Sequence, residues 1–271
     1  MFIKKSVTFA GVMQNQFSRT QLLFGRKAME TLQGCRVAVF GVGGVGGYAV
    51  EVLARSGVGA IDLFDDDRVC LTNCNRQIIA LLSTVGKHKV DAAEARIHDI
   101  NRRCMVTKHQ MFYLPQNADE VDLTVYDYVL DCIDTVSAKI ELVKRCWALK
   151  VPILSCMGAA NKMDATAFRV TDIKKTKMDP LAKVMRKKLK DAHITKLKCV
   201  WSEEQPLVPF DYEEISCRFH CICPNKDMRK CTERRNIPAS NAFVPAAEGI
   251  IAGGEVVKDL INRAGTMRVL S

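Results

Sequence analysis

The sequence predicts an α/β fold, a Rossmann-like, doubly wound sheet that is mostly parallel with an antiparallel extension. Short apolar runs of strand length alternate with amphipathic segments of helical period between residues 30 and 160. A glycine-rich turn, GVGGVG at 41–46, joins the first apolar run to the first amphipathic segment. Beyond residue 160 the alternation stops, and one further strand there is expected to be antiparallel.

The elements of the first half follow in a regular order. The first predicted strand, CRVAVFG (35–41), is a short apolar run ending in glycine, which is typical of a buried parallel strand. After the glycine turn, helical spacing predicts a helix that ends at Gly57, a suitable C-cap. The next predicted elements are a strand at 60–65, a helix at 87–102, strands at 105–113 and 126–134, a helix at 136–150 with Thr135 as its N-cap, and a strand at 151–158.

The second half has fewer regular elements. ATAFRVTDI (165–173) is the predicted additional strand, and DPLAKVMRKKLKDAH (179–193) predicts a helix with an aspartate cap and a proline in its first turn. Between 201 and 241 there is little periodicity and several prolines, so loops are expected. A last helix at 246–263 is predicted to pack back on the core.

The net charge of +10 is concentrated in one part of the chain. Between residues 174 and 198 there are ten Lys or Arg residues against two acids, and a second basic stretch lies between 218 and 235. Positive charge gathered in this way favours a polyanionic partner such as nucleic acid. The alternative is a solvated helix whose lysines bind nothing.

Composition argues against membrane and secreted proteins. No window approaches the roughly 18 uninterrupted apolar residues that indicate a membrane span, because the best candidate, 242–257, contains Glu248 and Glu255. Lys4 and Lys5 precede a short apolar segment, but no small-residue cleavage site follows it. The twelve cysteines are scattered through predicted strands and helices, which favours reduced thiols and a cytoplasmic location.

The glycine turn indicates a phosphate-binding loop, because backbone N–H groups at the start of a helix attract anions. The glycines that form it are Gly41, Gly43, Gly44 and Gly46. Users of NAD, FAD and ATP share such a turn, and Asp65 after the second strand could bind ribose hydroxyls in any of them. The glycines alone therefore leave the nucleotide open.

Polar residues beyond Asp65 favour ATP over the other nucleotides. Asn73, Arg76 and Gln77 follow it closely, Lys89 opens the next predicted helix, and Asp134 follows the fourth strand. Two cations and a carboxylate beside a phosphate loop suit a triphosphate with magnesium, since the cations offset charge on the leaving group. The alternative makes Arg76 and Lys89 surface charges that pair with Asp67 and Asp91.

These motifs resemble the ubiquitin-activating-enzyme-like (ThiF/MoeB) superfamily, whose members adenylate carboxylates with ATP. GVGGVG, DDDRVCLTNCNRQ, VGKHK and DCID carry the resemblance, and the family spacing D-x-D-x-V-x-x-x-N-x-x-R-Q is met from Asp65 to Gln77. The resemblance implies that Asp65 binds ribose, that phosphates are bound by Asn73, Arg76 and Lys89, and that Asp134 holds Mg²⁺. Asp67 belongs to the same implied nucleotide site.

The segment FSRTQLLFG (17–25) resembles the family's N-terminal segment. In that family its arginine, Arg19 here, reaches into the site of a partner protomer. The resemblance therefore implies a homodimer with two shared sites. It also implies that four residues act in the chemistry, namely Arg76, Lys89, Asp134 and Arg19.

Within the superfamily, the chain from 17 to 262 resembles the tRNA threonylcarbamoyladenosine dehydratases. SRTQLLFG, SCMGAANKMDAT, VTDIKKTKMDPLAKVMRKKL and NAFVPAAEGIIAGGEVVKDLI carry this resemblance. It implies ATP-dependent cyclisation of threonylcarbamoyladenosine beside the anticodon of tRNA, through activation of the threonyl carboxylate. The implied organisation is an ATP-binding adenylation core at 17–160, followed by a basic, partly irregular tRNA region at 161–271. The basic residues expected to bind tRNA are Lys183, Arg186, Lys187, Lys188 and Lys190.

Two other functions remain open. One is adenylation of the C-terminus of a ubiquitin-like sulfur-carrier protein, although enzymes of that branch typically carry two C-x-x-C zinc pairs and this chain has none. The other is a non-catalytic, nucleotide-gated module that binds tRNA. A sulfur-transfer or acceptor protein is a further partner that the sequence leaves undecided.

Several cysteines and one lysine have two interpretations each. One cluster of thiols could bind zinc, namely Cys217, Cys221, Cys223 and Cys231. Against this, C-x-C spacing is unusual for a zinc knuckle, and proline-rich loops also gather thiols without metal. Cys156 is interpreted as a packed strand residue rather than a nucleophile. Lys162 and Asp164 either line the substrate side or form a salt-linked hairpin.

Overall fold

A seven-stranded sheet forms the centre of the computed structural model, which describes residues 14–210, 212 and 238–266. The strands are β1 (Arg36–Phe40), β2 (Ala60–Phe64), β3 (Met105–His109), β4 (Tyr128–Asp131), β5 (Ile153–Cys156), β6 (Phe168–Asp172) and β7 (Lys198–Ser202). Their order is β3-β2-β1-β4-β5-β7-β6, and β6 alone among these strands runs antiparallel to its neighbour. The predicted fold class is confirmed.

Helices cover the sheet on both faces. They are α1 (Ser18–Phe24), α2 (Arg26–Gly34), α3 (Gly46–Ser56), α4 (Lys89–Ile100), α5 (Val136–Leu149), α6 (Pro180–Asp191) and α7 (Val244–Arg263). Strand β1 shows the two faces, because Val37 and Val39 pack in the core with α3, α4 and α7, while Ala38 and Phe40 pack with α5. None of the helices in the described ranges is both long and apolar enough to cross a bilayer.

The strand register brings distant parts of the chain to one edge. Phe40 at the end of β1 pairs with Phe64 of β2 and with Asp131 of β4. Strands β5 and β7 run in the same direction, so residues after Cys156 and Ser202 leave the sheet at this edge as well. Open α/β sheets bind ligands at the carboxyl ends of their parallel strands. Gly41, Asp65 and Asp134 of the predicted nucleotide site follow the ends of β1, β2 and β4.

Three local expectations differ from the structure. Strand β7 was missed, because its apolar residues lie between a lysine-rich stretch and a polar loop, and β7 pairs with both β5 and β6. Strand β3 ends at His109 rather than Tyr113, and Tyr113 packs instead in the core beside α5. Thr135 takes the N-cap position of α5, but its hydroxyl makes no capping hydrogen bond and lies 3.4 Å from Oδ1 of Asp134.

Candidate active site

Close contacts require glycine at both ends of the turn between β1 and α3. Gly41 has φ +87°, and a Cβ there would lie 2.7 Å from the carbonyl oxygen of Cys132. A Cβ at Gly46 would lie 1.8 Å from the carbonyl oxygen of Gly41. Because no side chain fits at either position, the turn stays tight and brings the amino end of α3 to the carboxyl edge of the sheet. The backbone is therefore arranged as in phosphate-binding turns.

The middle of the turn lies against the predicted polar residues. A Cβ at Gly44 would lie 3.5 Å from Cγ of Arg76, and one at Gly43 would lie 3.8 Å from Nε2 of Gln77. The side-chain oxygen of Gln77 is buried and has no hydrogen-bond partner among the described residues. The structure thus brings Arg76 and Gln77 to the glycine turn.

Asp65 joins the end of β2 to the glycine turn. Its carboxylate accepts hydrogen bonds from the backbone N–H of Val42 at 2.8 Å and from that of Asp67 at 2.9 Å. The side chain is only 9% exposed. Two backbone donors fix the carboxylate, and each oxygen retains capacity for another donor such as a ribose hydroxyl.

Lys89 is the buried cation of the site. It begins α4, and its ammonium nitrogen lies 2.7 Å from Oδ2 of Asp67 and 3.7 Å from Oδ1 of Asp65. The interpretation of Lys89 as a surface charge is therefore wrong, because the side chain is buried and lies nearest to the carboxylate of Asp67. Asp91 instead pairs with Lys108. The two carboxylates compensate the cost of burying the ammonium group.

Arg76 and Asn73 lie in a partly exposed turn after β2. The guanidinium of Arg76 donates hydrogen bonds to the carbonyl oxygen of Thr72 at 3.1 Å and to the side chain of Asn75 at 2.8 Å. The side-chain oxygen of Asn73 accepts a hydrogen bond from the backbone N–H of Cys70. These bonds give the turn a defined shape and hold the half-buried Arg76 side chain beside Gly44.

The two aspartates that follow β4 have different environments. Asp131 is fully buried, lies 2.9 Å from the ammonium nitrogen of Lys139 and accepts a hydrogen bond from Ser155. Asp134 is exposed at the carboxyl edge and lies beside Thr135. An exposed carboxylate suits Mg²⁺, which keeps several waters and is held by one or two carboxylates together with substrate phosphates. Asp131 thus stabilises the core, while Asp134 fits the predicted metal role.

A buried polar cluster beside this edge was missed by sequence reasoning. Glu248 in α7 is fully buried, and neither carboxyl oxygen has a hydrogen-bond partner among the described residues. Burial raises the pKa of Glu248 to about 8, although the positive charges of Lys162 and Lys139 act to lower it. The following residue lies on the glycine turn, since a Cβ at Gly249 would lie 2.2 Å from the carbonyl oxygen of Val45. An acid within an apolar helical pattern was the available signal.

Lys162 ties the loop after β5 to the basic helix α6. Its ammonium nitrogen lies 2.8 Å from Oδ2 of Asp179, and both side chains are buried. Asp179 also caps α6, because its other oxygen accepts a hydrogen bond from the backbone N–H of Ala182. The salt-linked hairpin is wrong, because Lys162 pairs across the fold with Asp179 and Asp164 accepts hydrogen bonds from Thr166. The position of Lys162 and Asp164 on the substrate side stays a prediction.

The predicted tRNA-binding residues of α6 fall into two groups. Arg186 is half-buried and donates hydrogen bonds to the carbonyl and hydroxyl oxygens of Thr176, so it anchors the start of the helix. The other four are exposed, namely Lys183, Lys187, Lys188 and Lys190. Lys198 is turned away, with its ammonium nitrogen 2.8 Å from Asp259 of α7. Within residues 174–198, the exposed positive charge thus lies mainly on α6 and the turn before it.

The structure also describes two single residues that the sequence analysis names, Arg19 and Cys156. Arg19 is exposed on α1, a helix without a single buried residue. Cys156 is buried, and its neighbour Cys132, 3.8 Å away, together with burial raises the pKa of the Cys156 thiol well above its usual value. Cys156 is therefore a packed strand residue, as predicted. The four cysteines of the candidate zinc cluster lie outside the described residues.

Comparison with known proteins assigns the chain to a family. The ThiF family model matches residues 17–268, and the chain belongs to that family. The sequence is 46% identical over 258 residues to tRNA threonylcarbamoyladenosine dehydratase of Bacillus subtilis (strain 168). The aligned region covers 95% of this chain and 99% of that protein.

Solved structures agree with the sequence comparison. The fold is similar to that of E. coli tRNA N6-threonylcarbamoyladenosine dehydratase in complex with AMP, with a TM-score of 0.80, 34% identity, and coverage of 96% of this chain and 99% of that one. The same enzyme in complex with ATP gives a TM-score of 0.78 at 34% identity, covering 92% of this chain and 95% of that one. The resemblance of the sequence motifs to the tRNA threonylcarbamoyladenosine dehydratases of the ThiF family is confirmed.

Proposed function

We propose that this protein uses ATP to cyclise threonylcarbamoyladenosine in tRNA by removing one water. The observation that carries the proposal is the convergence of the glycine turn, Arg76 and buried Lys89 at the carboxyl edge of the sheet. The relatives indicate the substrate, because proteins similar over nearly the whole chain are tRNA threonylcarbamoyladenosine dehydratases. Structures of the E. coli enzyme in complex with ATP and with AMP support the use of ATP.

The reaction activates a carboxylate and then closes a ring. A threonyl carboxylate oxygen attacks a phosphorus atom of ATP and forms a mixed anhydride. The bond from that phosphorus to its leaving group breaks, which releases pyrophosphate if the α-phosphorus is attacked or ADP if the γ-phosphorus is attacked. A nitrogen of the same modified nucleoside then attacks the activated acyl carbon. The bond from that carbon to the bridging oxygen of the anhydride breaks, AMP or phosphate leaves, and the nitrogen loses its proton. The carboxylate oxygen departs on phosphorus, so the nucleoside loses one water overall. No enzyme thiol is needed, because the nucleophile is already in the same molecule.

Each residue has a role that follows from its position. Arg76 and Lys89 offset the negative charge that grows on the leaving phosphate group. Asp65 and Asn73 hold the ribose and phosphates, and Asp67 keeps Lys89 in place at 2.7 Å. Asp134 would hold Mg²⁺, which supplies charge neutralisation on the phosphate oxygens when bound.

The lysines of α6 bind the tRNA backbone in this proposal. The four exposed lysines project from one short helix whose first turn is fixed by the ion pair of Lys162 and Asp179. Neutralising phosphates releases condensed counterions, so this contact would make affinity depend strongly on salt. Residues 161–271 thus supply most of the substrate contact, while 17–160 supplies the nucleotide site.

The active form is a homodimer in the same proposal. The seven-residue helix α1 leaves Leu22 82% and Leu23 68% exposed, and Leu82 after the Arg76 turn is 80% exposed. Leu22 and Leu23 are adjacent in the chain, and exposed apolar side chains that lie together favour a protein–protein interface. Dimerisation would cover it and allow Arg19 to enter the partner's nucleotide site. A cytoplasmic location agrees with a tRNA substrate.

Mass spectrometry of tRNA tests the proposed activity. Purified protein, ATP, Mg²⁺ and tRNA carrying threonylcarbamoyladenosine are expected to give a nucleoside lighter by one water, together with ATP cleavage. Binding of tRNA without ATP cleavage would favour the nucleotide-gated binding module. ATP–pyrophosphate exchange that requires a ubiquitin-like protein, with no change in the tRNA, would favour the sulfur-carrier adenylating enzyme.

A further inference from the structure

Two aromatic side chains project from the segment that follows β7. Phe210 is 85% exposed and Tyr212 is 50% exposed. Their rings are stacked, with centroids 5.8 Å apart and planes 25° from parallel. Fold stability does not explain such exposure, because a solvent-exposed phenyl ring gains little of the hydrophobic stabilisation that burial gives. An exposed, paired aromatic surface therefore calls for a ligand with a flat face.

The segment is held at the edge of the sheet where the nucleotide site lies. Strand β7 runs parallel to β5, so the chain leaves it at the carboxyl edge. The backbone N–H of Leu207 donates to the carbonyl oxygen of Asn161 at 2.7 Å, and Asn161 exchanges two hydrogen bonds with Ala239. The carbonyl oxygen of Ser240 accepts from Asn75, the neighbour of Arg76. A short series of contacts thus links the aromatic segment to the Arg76 turn.

The same anchor connects the aromatic segment to the basic helix. Asn161 is followed directly by Lys162, which is paired at 2.8 Å with Asp179, the N-cap of α6. The two rings therefore come shortly after Leu207 in the chain, and Leu207 is bonded to a loop that contacts the start of α6 directly and the Arg76 turn through residues 239–240. A polyanion lying along α6 and reaching into the nucleotide site would pass this segment.

We propose that Phe210 and Tyr212 form a stacking platform for an unpaired base of the tRNA next to the modified adenosine. This inference rests on the proposed function. Single-stranded RNA is commonly bound by stacking splayed bases on aromatic side chains. The threonyl carboxylate must leave the loop stack to reach ATP, and a neighbouring base held on the platform would keep the loop open. The positive charge of α6 favours RNA over a second copy of this basic chain as the occupant.

A fluorescent anticodon stem-loop tests the platform directly. With 2-aminopurine placed on either side of the modified adenosine, binding to the wild-type protein is expected to change the fluorescence of one of the two probes. Phe210→Ala and Tyr212→Ala are each expected to remove that change and to weaken RNA binding roughly 5- to 100-fold. Phe210→Trp is expected to restore both, because the indole ring also stacks.

Controls separate stacking from other effects of substitution. Val208→Ala changes an apolar side chain that is 92% exposed in the same segment, and its RNA affinity should stay within twofold of the wild type. The salt dependence of binding should be unchanged in the aromatic variants, because no charge is removed. ATP binding should also be unchanged.

Two results would overturn the platform. Unaltered fluorescence and affinity in Phe210→Ala and Tyr212→Ala would place the RNA elsewhere, and a change of oligomeric state would identify a second copy as the occupant. The proposed function is judged separately by the wild-type protein. Stacking without loss of water from the RNA would contradict the activity alone, whereas loss of water with normal binding by the variants would contradict the platform alone.

Discussion

The ammonium nitrogen of Lys89 lies 2.7 Å from Oδ2 of Asp67, with the lysine side chain only 6% exposed. The pair joins the first residue of α4 to the loop after β2. Because a buried ammonium group is costly without a carboxylate partner, Asp67 fixes the position of Lys89 at the edge of the sheet. In the proposed function, the cation would be in place before a triphosphate arrives and would need little reorganisation to act on the leaving group.

Lys89→Met is expected to lower ATP-dependent loss of water from the tRNA by about 100-fold or more, because a preorganised donor to the leaving group is lost. It should also lower Tm, since Asp65 and Asp67 lose the ammonium group that lies near both carboxylates. Single-turnover mass spectrometry and thermal melts measure the two effects. Lys87→Met removes an exposed lysine two residues away and should leave both values near the wild type. Full activity in Lys89→Met would remove the lysine from the chemistry.

Asp134→Asn is expected to abolish ATP consumption at ordinary Mg²⁺ concentrations while leaving tRNA binding intact. An amide is a weaker magnesium ligand than a carboxylate, so a raised Mg²⁺ requirement should accompany the loss. Titrating Mg²⁺ at fixed ATP separates this from general damage. Glu120→Gln, which neutralises another exposed acid, serves as the control. An unchanged Mg²⁺ dependence in Asp134→Asn would show that the metal is held elsewhere.

Neutralising Lys187, Lys188 and Lys190 together is expected to weaken tRNA binding and to flatten its salt dependence. Each lost phosphate contact should reduce the slope of log affinity against log salt by roughly 0.7 to 0.9. Lys150→Gln is the single-charge control, because Lys150 is an exposed lysine outside α6, at the C-cap of α5. Filter binding at four salt concentrations measures the slopes. A slope equal to that of the wild type would mean that α6 does not contact the backbone.

The nucleotide site at the carboxyl edge of the sheet could be predicted because the residues that indicate it lie close together in the sequence. The strand, the turn from Gly41 to Gly46 and helix α3 are contiguous, and the tight contact between those two glycines can be read from their spacing. Asp65 comes directly after the next strand, so its place at the same edge follows from parallel pairing. The sequence therefore located most of the candidate site.

The parts that escaped prediction depend on partners distant in sequence. The ion pair of Lys162 and Asp179 joins a loop to a helix cap 17 residues later, and a nearer acid, Asp164, offered an equally plausible pair. Strand β7 is defined by its pairing with β5 and β6 rather than by any alternation of its own. Glu248 was counted only as an interruption of an apolar run, because burial of that face of α7 depends on the glycine turn.

Glu248→Gln is expected to remove a pH-dependent part of the stability. In the unfolded chain the carboxyl group has its usual pKa of 4.5, whereas burial raises the pKa to about 8 in the fold. Between these values the folded protein binds one more proton than the unfolded chain, so the free energy of unfolding falls by about 1.4 kcal/mol per pH unit as pH rises. Above pH 8 this contribution is constant. Lys162, Lys139 and Asp179 are the charged groups that act on it.

Urea unfolding at pH 5, 6, 7 and 8 measures this effect, because glutamine has nearly the same shape and stays neutral throughout. The variant should gain stability relative to the wild type as pH rises, and the difference should grow by several kcal/mol over this range. Subtracting the two curves removes every other titrating group that both proteins share. A constant difference would mean that Glu248 is already ionised at pH 5, and therefore that Lys162 and Lys139 outweigh the cost of its burial.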